Sequence, residues 1–479
     1  MNCIRIAVWA FALGALPGVA LAQQDPPTLA GRIATVSGAV TFLANSSDQG
    51  SAAVVNYPLT SGNQLVTAAQ AGVGFDIGAD RLLLDQSGVL AIDNLDQSGV
   101  TLDLSQGAVF VDHRAGDPDV AIHVARGDVH LSAPGQYEIV SGDQNQPTWL
   151  SVISGQGEVD AGGIALRPGA GQTAELDGSA SVSGQILPLE HDAFLDQALA
   201  ADQVAAAPVA MAPEMADMTG VEQLYGVGSW EESADDGWVW YPPVDADWSP
   251  YSEGYWGWVA PWGWTWVDYE PWGFAPFHYG RWSRNGGRWC WVPGGGGDQG
   301  RPAVYAPALV AFTGTRSSSL GGGRPTGWVP LGPREAYTPP YRHSAAYGAQ
   351  FQRPDYAAAR SSEQLVNRGA AVGGSNESFV DRRQPAATPR ADRGAPEREP
   401  LAQFRAVEPA LPAARPEVAE PGSYSAPRAE EQFQPRPQYQ PAPQHYEPAP
   451  AFSQPARPAP EQRPSEPATS AGQGRRYPY

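Results

Sequence analysis

The side chains most able to do chemistry sit in one Trp-dense stretch: Asp268, Glu270, His278 and Arg281, with Trp258, Trp262 and Trp272 close by. Aromatic faces offer stiff contact area to a sugar ring, and neighbouring carboxylate, imidazole and guanidinium groups hydrogen-bond its hydroxyls. On this reading Trp258, Trp262, Trp272, Asp268, His278 and Arg281 form a ligand-binding set on an exposed platform. The competing reading makes the aromatics the core of a small repeat module, because a module without disulfides must bury apolar surface.

Other reactive constellations are thin. His113, His123 and His130 lack the paired spacing of a zinc site, and His123 and His130 alternate with apolar neighbours, which puts both on polar strand faces. Asp93, Asp96, Asp117 and Asp119 belong to no calcium-loop motif, and Arg126-Gly127-Asp128 reads as a strand-opening turn. Cys290, between Trp289 and Trp291, has no second Cys or Asn-His context and reads as an inert thiol. Gly294 to Gly297 lacks the Lys and Ser/Thr of a phosphate cradle. No Ser-His-Asp set stands out, and nothing marks one carboxylate as a general acid. The expectation is a protein without catalytic residues, metal site or cofactor.

The element that must position the candidate set is a repeat. Gly228-x-Trp230, Gly254-x-Trp256 and Gly280-x-Trp282 start 26 residues apart, and each is followed by a Trp-x-Trp: Trp238/Trp240, Trp264/Trp266 and Trp289/Trp291. Pro250-Tyr251 and Pro276-Phe277 precede the second and third units equivalently. Each unit predicts a β-hairpin whose Trp-x-Trp points two indoles to one face. A single hairpin is marginal in water, so three are expected to stack. Trp258, Trp262 and Trp272 fall outside the repeated positions and are expected to be exposed.

Upstream, from Thr28 to Leu189, short runs of alternating apolar and polar residues open on Gly, as in Gly38–Phe42, Gly107–Val111 and Gly127–Leu131. Period two with Gly punctuation predicts half-buried antiparallel strands. Leu-Asp-Gln-Ser-Gly-Val occurs at 84–89 and at 95–100, a spacing that suits the strand-turn-strand units of a β-roll or sandwich. The runs Gly31–Val40, Leu59–Thr67, Leu104–Val111 and Leu166–Gln172 resemble a FecR-type periplasmic domain. In that family the domain often sits in an inner-membrane anti-sigma regulator that senses a transporter's state. For this chain the resemblance implies a β-fold in the periplasm. Residues Pro213–Met215, Trp262–Asp268, Glu270–Trp282, Val304–Phe312 and Trp328–Glu335 resemble a second, functionally uncharacterised family that commonly follows FecR-like domains in exported Gram-negative proteins. That resemblance implies no reaction.

Composition sets the remaining bounds. The chain has 479 residues and a formal charge of −21, and every basic residue is Arg. Residues 23–220 carry 24 acidic residues and 5 Arg, so nearly all the acidity belongs to the first domain. Such a balance argues against a nucleic-acid partner. Residues 1–22 read as a cleavable signal: Arg5, an apolar run from Ile6 to Leu16, and Ala20-Leu21-Ala22. No later stretch is apolar enough to span a membrane. Cleavage leaves Cys290 alone, which excludes an intramolecular disulfide.

The expected organisation is therefore mainly β. A signal peptide (1–22) precedes a FecR-like acidic β-roll or sandwich (23–189). A short helix and linker follow (190–220), with Phe194, Leu195 and Leu199 on one helix face. Next come a Trp-rich β-hairpin repeat module (221–343) and a disordered Pro/Gln/Arg-rich tail (344–479). The expected function is exported, periplasmic or secreted, envelope-associated and non-catalytic, with an unidentified envelope protein or a glycan as partner. The alternative is a cell-wall or polysaccharide-binding module.

Overall fold

A computed structural model of the chain describes residues 25–114, 117–178, 181–202, 215, 217–293, 303–315, 325–351, 364–374 and 378–380. The chain divides into residues 1–414 and 415–479, and every described residue belongs to the first unit. The expected signal peptide lies outside the described residues, as do residues 381–479 of the expected tail.

The fold is mainly β, and its first part is a sandwich in which the chain alternates between two sheets. β1 (Gly31–Ser37) lies in sheet I, β2 (Val40–Leu43) and β3 (Ser51–Ala52) in sheet II, and β4 (Pro58–Leu59) in sheet I. β5 (Gln64–Thr67) returns to sheet II, then β6 (Gly72–Ile77) and β7 (Asp80–Leu84) form a hairpin in sheet I. Sheet II takes β8 (Val89–Asp96) and β9 (Gly99–Gln106), and sheet I takes β10 (Ala108–His113). The hairpin β11 (Val120–Val124) and β12 (Gly127–Leu131) is in sheet II, and β13 (Gly135–Val140) and β14 (Thr148–Ser154) are in sheet I. β15 (Glu158–Ala161) and β16 (Ile164–Leu166) end sheet II; β17 (Gln172–Asp177) and β18 (Ser183–Pro188) end sheet I. Because β10 is placed in sheet I, β9 and β11 meet as parallel neighbours, while the other ladders of both sheets are antiparallel. Inward positions supply the core, with Val73, Phe75, Val109 and Val111 from sheet I facing Leu90, Ile92, Leu102 and Leu104 from sheet II.

The duplicated hexapeptide behaves differently at its two sites. At 84–89 it carries the chain from β7 to β8, between sheets, with Ser87 at φ 53°. At 95–100 it turns the β8–β9 hairpin within sheet II. The outward face of sheet I is covered by α1 (Ala193–Ala201), which buries Phe194, Leu195 and Ala198 against Phe110.

The three Trp units are hairpins, as their pattern predicts: β19 (Ser229–Ser233) with β20 (Gly237–Tyr241), β21 (Gly254–Val259) with β22 (Gly263–Asp268), and β23 (Arg281–Asn285) with β24 (Arg288–Val292). In each, the first and last Trp of the unit are cross-strand partners: Trp230 with Trp240, Trp256 with Trp266, Trp282 with Trp291. The unit's Gly lies beneath the last indole. A Cβ on Gly228 would sit 2.8 Å from Trp240 Nε1, one on Gly254 2.5 Å from Trp266 Cζ2, and one on Gly280 2.6 Å from Trp291 Nε1. That close approach explains why every unit starts on Gly.

The hairpins do not stack as three equal units, which corrects that expectation. The first and third join edge to edge into one sheet, β19-β20-β24-β23, where Trp240 pairs with Trp291. This aligns Trp230, Trp240, Trp291 and Trp282 in one row across four strands. The middle hairpin instead takes β28 (Phe379–Val380) as a parallel third strand. A third sheet contains β25 (Val310–Thr315), β26 (Pro325–Pro330) and β27 (Val372–Gly373). α2 (Ala275–His278) links the second and third hairpins, and α3 (Ala345–Ala349) follows His343. A tail beginning at 344 is thus corrected: residues up to Val380 complete two sheets. Phe379 is buried, stacked on Trp256 and edge-on to Trp264 and Trp328.

Gly280→Ala should cost about 2 kcal/mol or more beyond Gly286→Ala, measured by urea unfolding. Both residues have positive φ, but a Cβ at 280 would lie 2.2 Å from Val292 O, whereas nothing lies within 4 Å at 286. Equal costs would mean that φ alone selects the glycine.

Candidate functional site

The six residues of the expected ligand set part company in the structure. Trp258 is on the surface, 42% exposed, with its ring 5.2 Å from Trp264 in an edge contact. Trp262 and Trp272 are buried, which corrects their expected exposure. Trp262, in the β21–β22 turn, folds back onto Tyr305 at 4.7 Å. Trp272 fills the space between Trp240 and Trp248 and stacks on Phe277.

The three polar members are also buried and engaged inside the protein. Asp268 accepts from Trp266 Nε1 at 3.0 Å and from the Glu270 amide at 3.0 Å, and burial pushes its carboxyl well above the usual range. The first and third hairpins satisfy the equivalent indoles differently: Trp240 donates to the Val227 carbonyl and Trp291 to that of Tyr279. Asp268 is thus the middle hairpin's substitute for a backbone acceptor. His278 lies between Phe274 and Tyr305, donates through Nδ1 to the Ala306 carbonyl at 2.8 Å, and is pushed down by burial to about 3. It is a neutral core imidazole at neutral pH. Arg281 donates to the carbonyls of Glu335 and Gly280. A platform made from all six is therefore not assembled.

What this motif builds is a junction, and its central residue went unnoticed in the sequence. Arg32 of β1 is fully buried. Its Nε donates to Asp76 at 2.8 Å, its Nη1 to Asn56 Oδ1 at 3.1 Å and to the Pro271 carbonyl at 3.4 Å, and its guanidinium lies 6.0 Å from the Phe274 ring. Asn56, held at φ 63°, turns its amide to the carbonyls of Asp268 and Glu270 at 3.2 and 2.6 Å. Thr219 donates to the Ala30 carbonyl and accepts from the Gly78 amide. Gly220, at φ 78°, leaves room for Arg32, whose Cδ would be 2.9 Å from a Cβ there. One hydrophobic cluster runs unbroken from the sandwich core into the Trp module. The weak signal in the sequence was a cation inside the apolar alternation Gly31-Arg32-Ile33.

Sheet I extends this junction outward. Arg32, Asp76, Arg81, Asp112 and Gln136 are successive cross-strand partners, so four charges alternate across four strands. Nearby, His113 donates to Asp80 at 2.8 Å; burial would lower its pKa, but the Asp80 carboxylate outweighs it and holds the imidazole above its usual value. Burial and Asp80 push Asp117 up to about 9. These groups brace strands and turns: Asp80 also accepts from the Arg114 amide, and Asp117 from the Ala79 amide. On the far face of the Trp row, Cys290 packs with Val239, Tyr241 and Val292, and burial pushes its thiol up to about 11.

Residues 221–335 match a protein family of unknown function, DUF6600. No curated protein matches the chain. Two solved structures of a candidate anti-sigma factor from Parabacteroides distasonis are similar at 15% and 13% identity, with TM-scores of 0.23 and 0.24. The similarity covers 28% and 34% of this chain and 62% and 76% of theirs, so the chain spans less than two thirds of the first. Among the described residues, no helix is long and apolar enough to cross a membrane.

Arg32→Met should cost about 3–5 kcal/mol, because it leaves Asp76 buried without its cation. Since 14 of the 16 Trp lie in residues 221–343, intrinsic fluorescence reports mainly the module, whereas circular dichroism reports both parts. The two denaturation curves should coincide in the wild type and separate in the variant. Coincident curves in Arg32→Met would show that the junction does not couple the parts.

Proposed function

We propose that this protein is an exported, non-catalytic component of the cell envelope that acts by binding or scaffolding. The carrying observation is that Asp268, His278 and Arg281, polar side chains well placed for chemistry in the Trp module, are buried and consumed in hydrogen bonds within the module itself. What remains outside is the surface of a two-part β-body with one continuous hydrophobic cluster. The FecR-like motifs of residues 31–172 and the leader-like first 22 residues favour the periplasm as its compartment. A second reading is favoured by Trp258: an exposed indole, braced edge-on by Trp264, is a suitable stacking surface for an envelope glycan.

Expression in a Gram-negative host followed by osmotic-shock fractionation tests the first reading. The mature chain should appear in the periplasmic fraction beginning at Gln23, and full-length cytoplasmic protein would refute export. Incubated with purified peptidoglycan, the protein should release no soluble fragments; turnover would refute the non-catalytic assignment. In a co-sedimentation assay with the same peptidoglycan, Trp258→Ala should lower retention about tenfold if stacking on the indole supplies roughly 1.4 kcal/mol. Unchanged retention removes the glycan reading.

A further inference from the structure

Helix α1 is attached to sheet I in an unusual way. Its apolar face rests on Phe110, with Leu83, Ala108 and Ile153 alongside, yet both of its ends meet buried acids. At the N-terminus the cap residue Asp192 accepts from the Leu195 amide at 2.8 Å and also hydrogen-bonds the carboxyl of Glu138 on β13. Glu138 is 4% exposed, and its Oε1 has no hydrogen-bond partner. The charged groups acting on it are Asp192 and Asp85, both acidic.

The C-terminus of α1 is different. Its cap, Asp202, hydrogen-bonds the Asp112 carboxyl, but Arg81 donates to it at 3.0 Å and Gln136 Nε2 at 2.8 Å. Arg114 pairs with Asp112, and Glu222 lies 3.7 Å from Arg114 and 3.9 Å from Arg81. On the solvent side, His191 and Asp196 pair with each other at 2.9 Å. The N-terminal contact is therefore the one whose immediate neighbours supply no cation, and a hydrogen bond between the two carboxyls there needs a proton, which the buried Glu138 supplies.

We propose that α1 is a proton-dependent strap: it stays on sheet I while the buried Glu138 keeps its proton and donates to Asp192, and lifts from the sheet when that proton is lost. In the docked form Glu138 Oε–H donates to Asp192, which keeps its other oxygen for the Leu195 amide. Loss of the proton sets two carboxylates against each other and leaves a buried charge beside Phe110 and Phe194. Burial, then Asp192 and Asp85, push Glu138 from its usual 4.5 up to about 8. A carboxyl raised by docking stabilises the docked state fully below its free value, and that stabilisation is lost as pH climbs to the docked value. Burial and Asp202 push Asp112 up to about 6, so of the two buried acids that meet the ends of α1 it is Glu138 that titrates between pH 6 and about 8. Opening uncovers the strip formed by Leu83, Ala108, Phe110 and Ile153.

Hydrogen–deuterium exchange on the full chain tests this, reading the peptide that spans α1 and correcting for intrinsic exchange rates. The opening constant of α1 should rise up to tenfold per pH unit between about pH 6 and 8, then level off. Glu138→Gln supplies a permanent donor to Asp192, so its opening constant should stay flat across that window. Asp192→Asn keeps an N-cap acceptor and offers an amide to ionised Glu138, so its rise should be shallower and should end at lower pH; it carries the test if Glu138→Gln fails to fold. A flat wild-type profile overturns the proposal, as does a folded variant that keeps the wild-type slope.

Discussion

The structure depends on a guanidinium that has no access to water. Burying the charge of Arg32 is tolerable only if its partners are supplied, and they come from both parts of the chain: Asp76 and Asn56 from the sandwich, the Pro271 carbonyl from the Trp module. Asn56 repeats the arrangement, accepting from Arg32 and donating to Asp268 and Glu270 carbonyls. The sandwich alone would keep Asp76 and Asn56 on Arg32 but would lose the Pro271 carbonyl and leave the Asn56 amide without its two acceptors. The sandwich and the module are therefore one folding problem, and the continuous hydrophobic cluster is the packing counterpart of that electrostatic demand. The stretch Glu270–Trp282 places its backbone carbonyls at this junction and its side chains in the core behind it. Its density of distinctive residues thus reflects the number of simultaneous constraints on it.

Within the module, the Gly-x-Trp…Trp-x-Trp unit solves a local problem. Two indoles paired across a hairpin bury large area only if something lets one of them lie flat on the backbone, and the missing Cβ does that. Where the indole can reach a carbonyl, as Trp240 and Trp291 do, the hairpin is self-sufficient at that position and two such hairpins can share an edge. The middle hairpin recruits Asp268 for its indole and has Trp258 opposite Trp264, where the other two hairpins have Glu232 opposite Trp238 and Arg284 opposite Trp289. Its aromatic face is wider, and Phe312, Trp328 and Phe379 are needed to cover it.

This contrast shows what was legible in the sequence. The hairpins themselves were, because alternation and a 26-residue repeat are local signals, and so was the β-rich sandwich. Partner choice was not. Nothing within a unit says that the first hairpin pairs with the third, or that Phe379 arrives from more than a hundred residues away to join β21. The duplicated hexapeptide makes the same point, since identical residues cross between sheets at 84–89 and turn a hairpin at 95–100. The ligand set failed for a related reason. Trp262 and Trp272 lie outside the repeat, but a position outside a repeat can still point inward, and both fill gaps between elements. Asp268, His278 and Arg281 look functional in a linear sequence because they are polar among aromatics. In three dimensions that environment makes them core hydrogen-bonding groups.

The absence of Lys acquires a structural meaning on the same grounds. Of the five Arg in residues 23–220, four connect more than one partner. Arg32 joins two side chains and a carbonyl, Arg81 reaches Asp202 and Glu222, and Arg114 reaches Asp112 and Glu222. Arg126 donates to the carbonyls of Gly178, Gln146 and Asp143, closing two loops at once. An ammonium is a compact, strongly hydrated point charge on a flexible stem, whereas these sites need several donors held in one plane at fixed separation. An acidic sandwich can then carry its charge with few cations, because each guanidinium satisfies several acceptors. Glu138, buried beyond the reach of those guanidinium groups, is left to keep its proton instead.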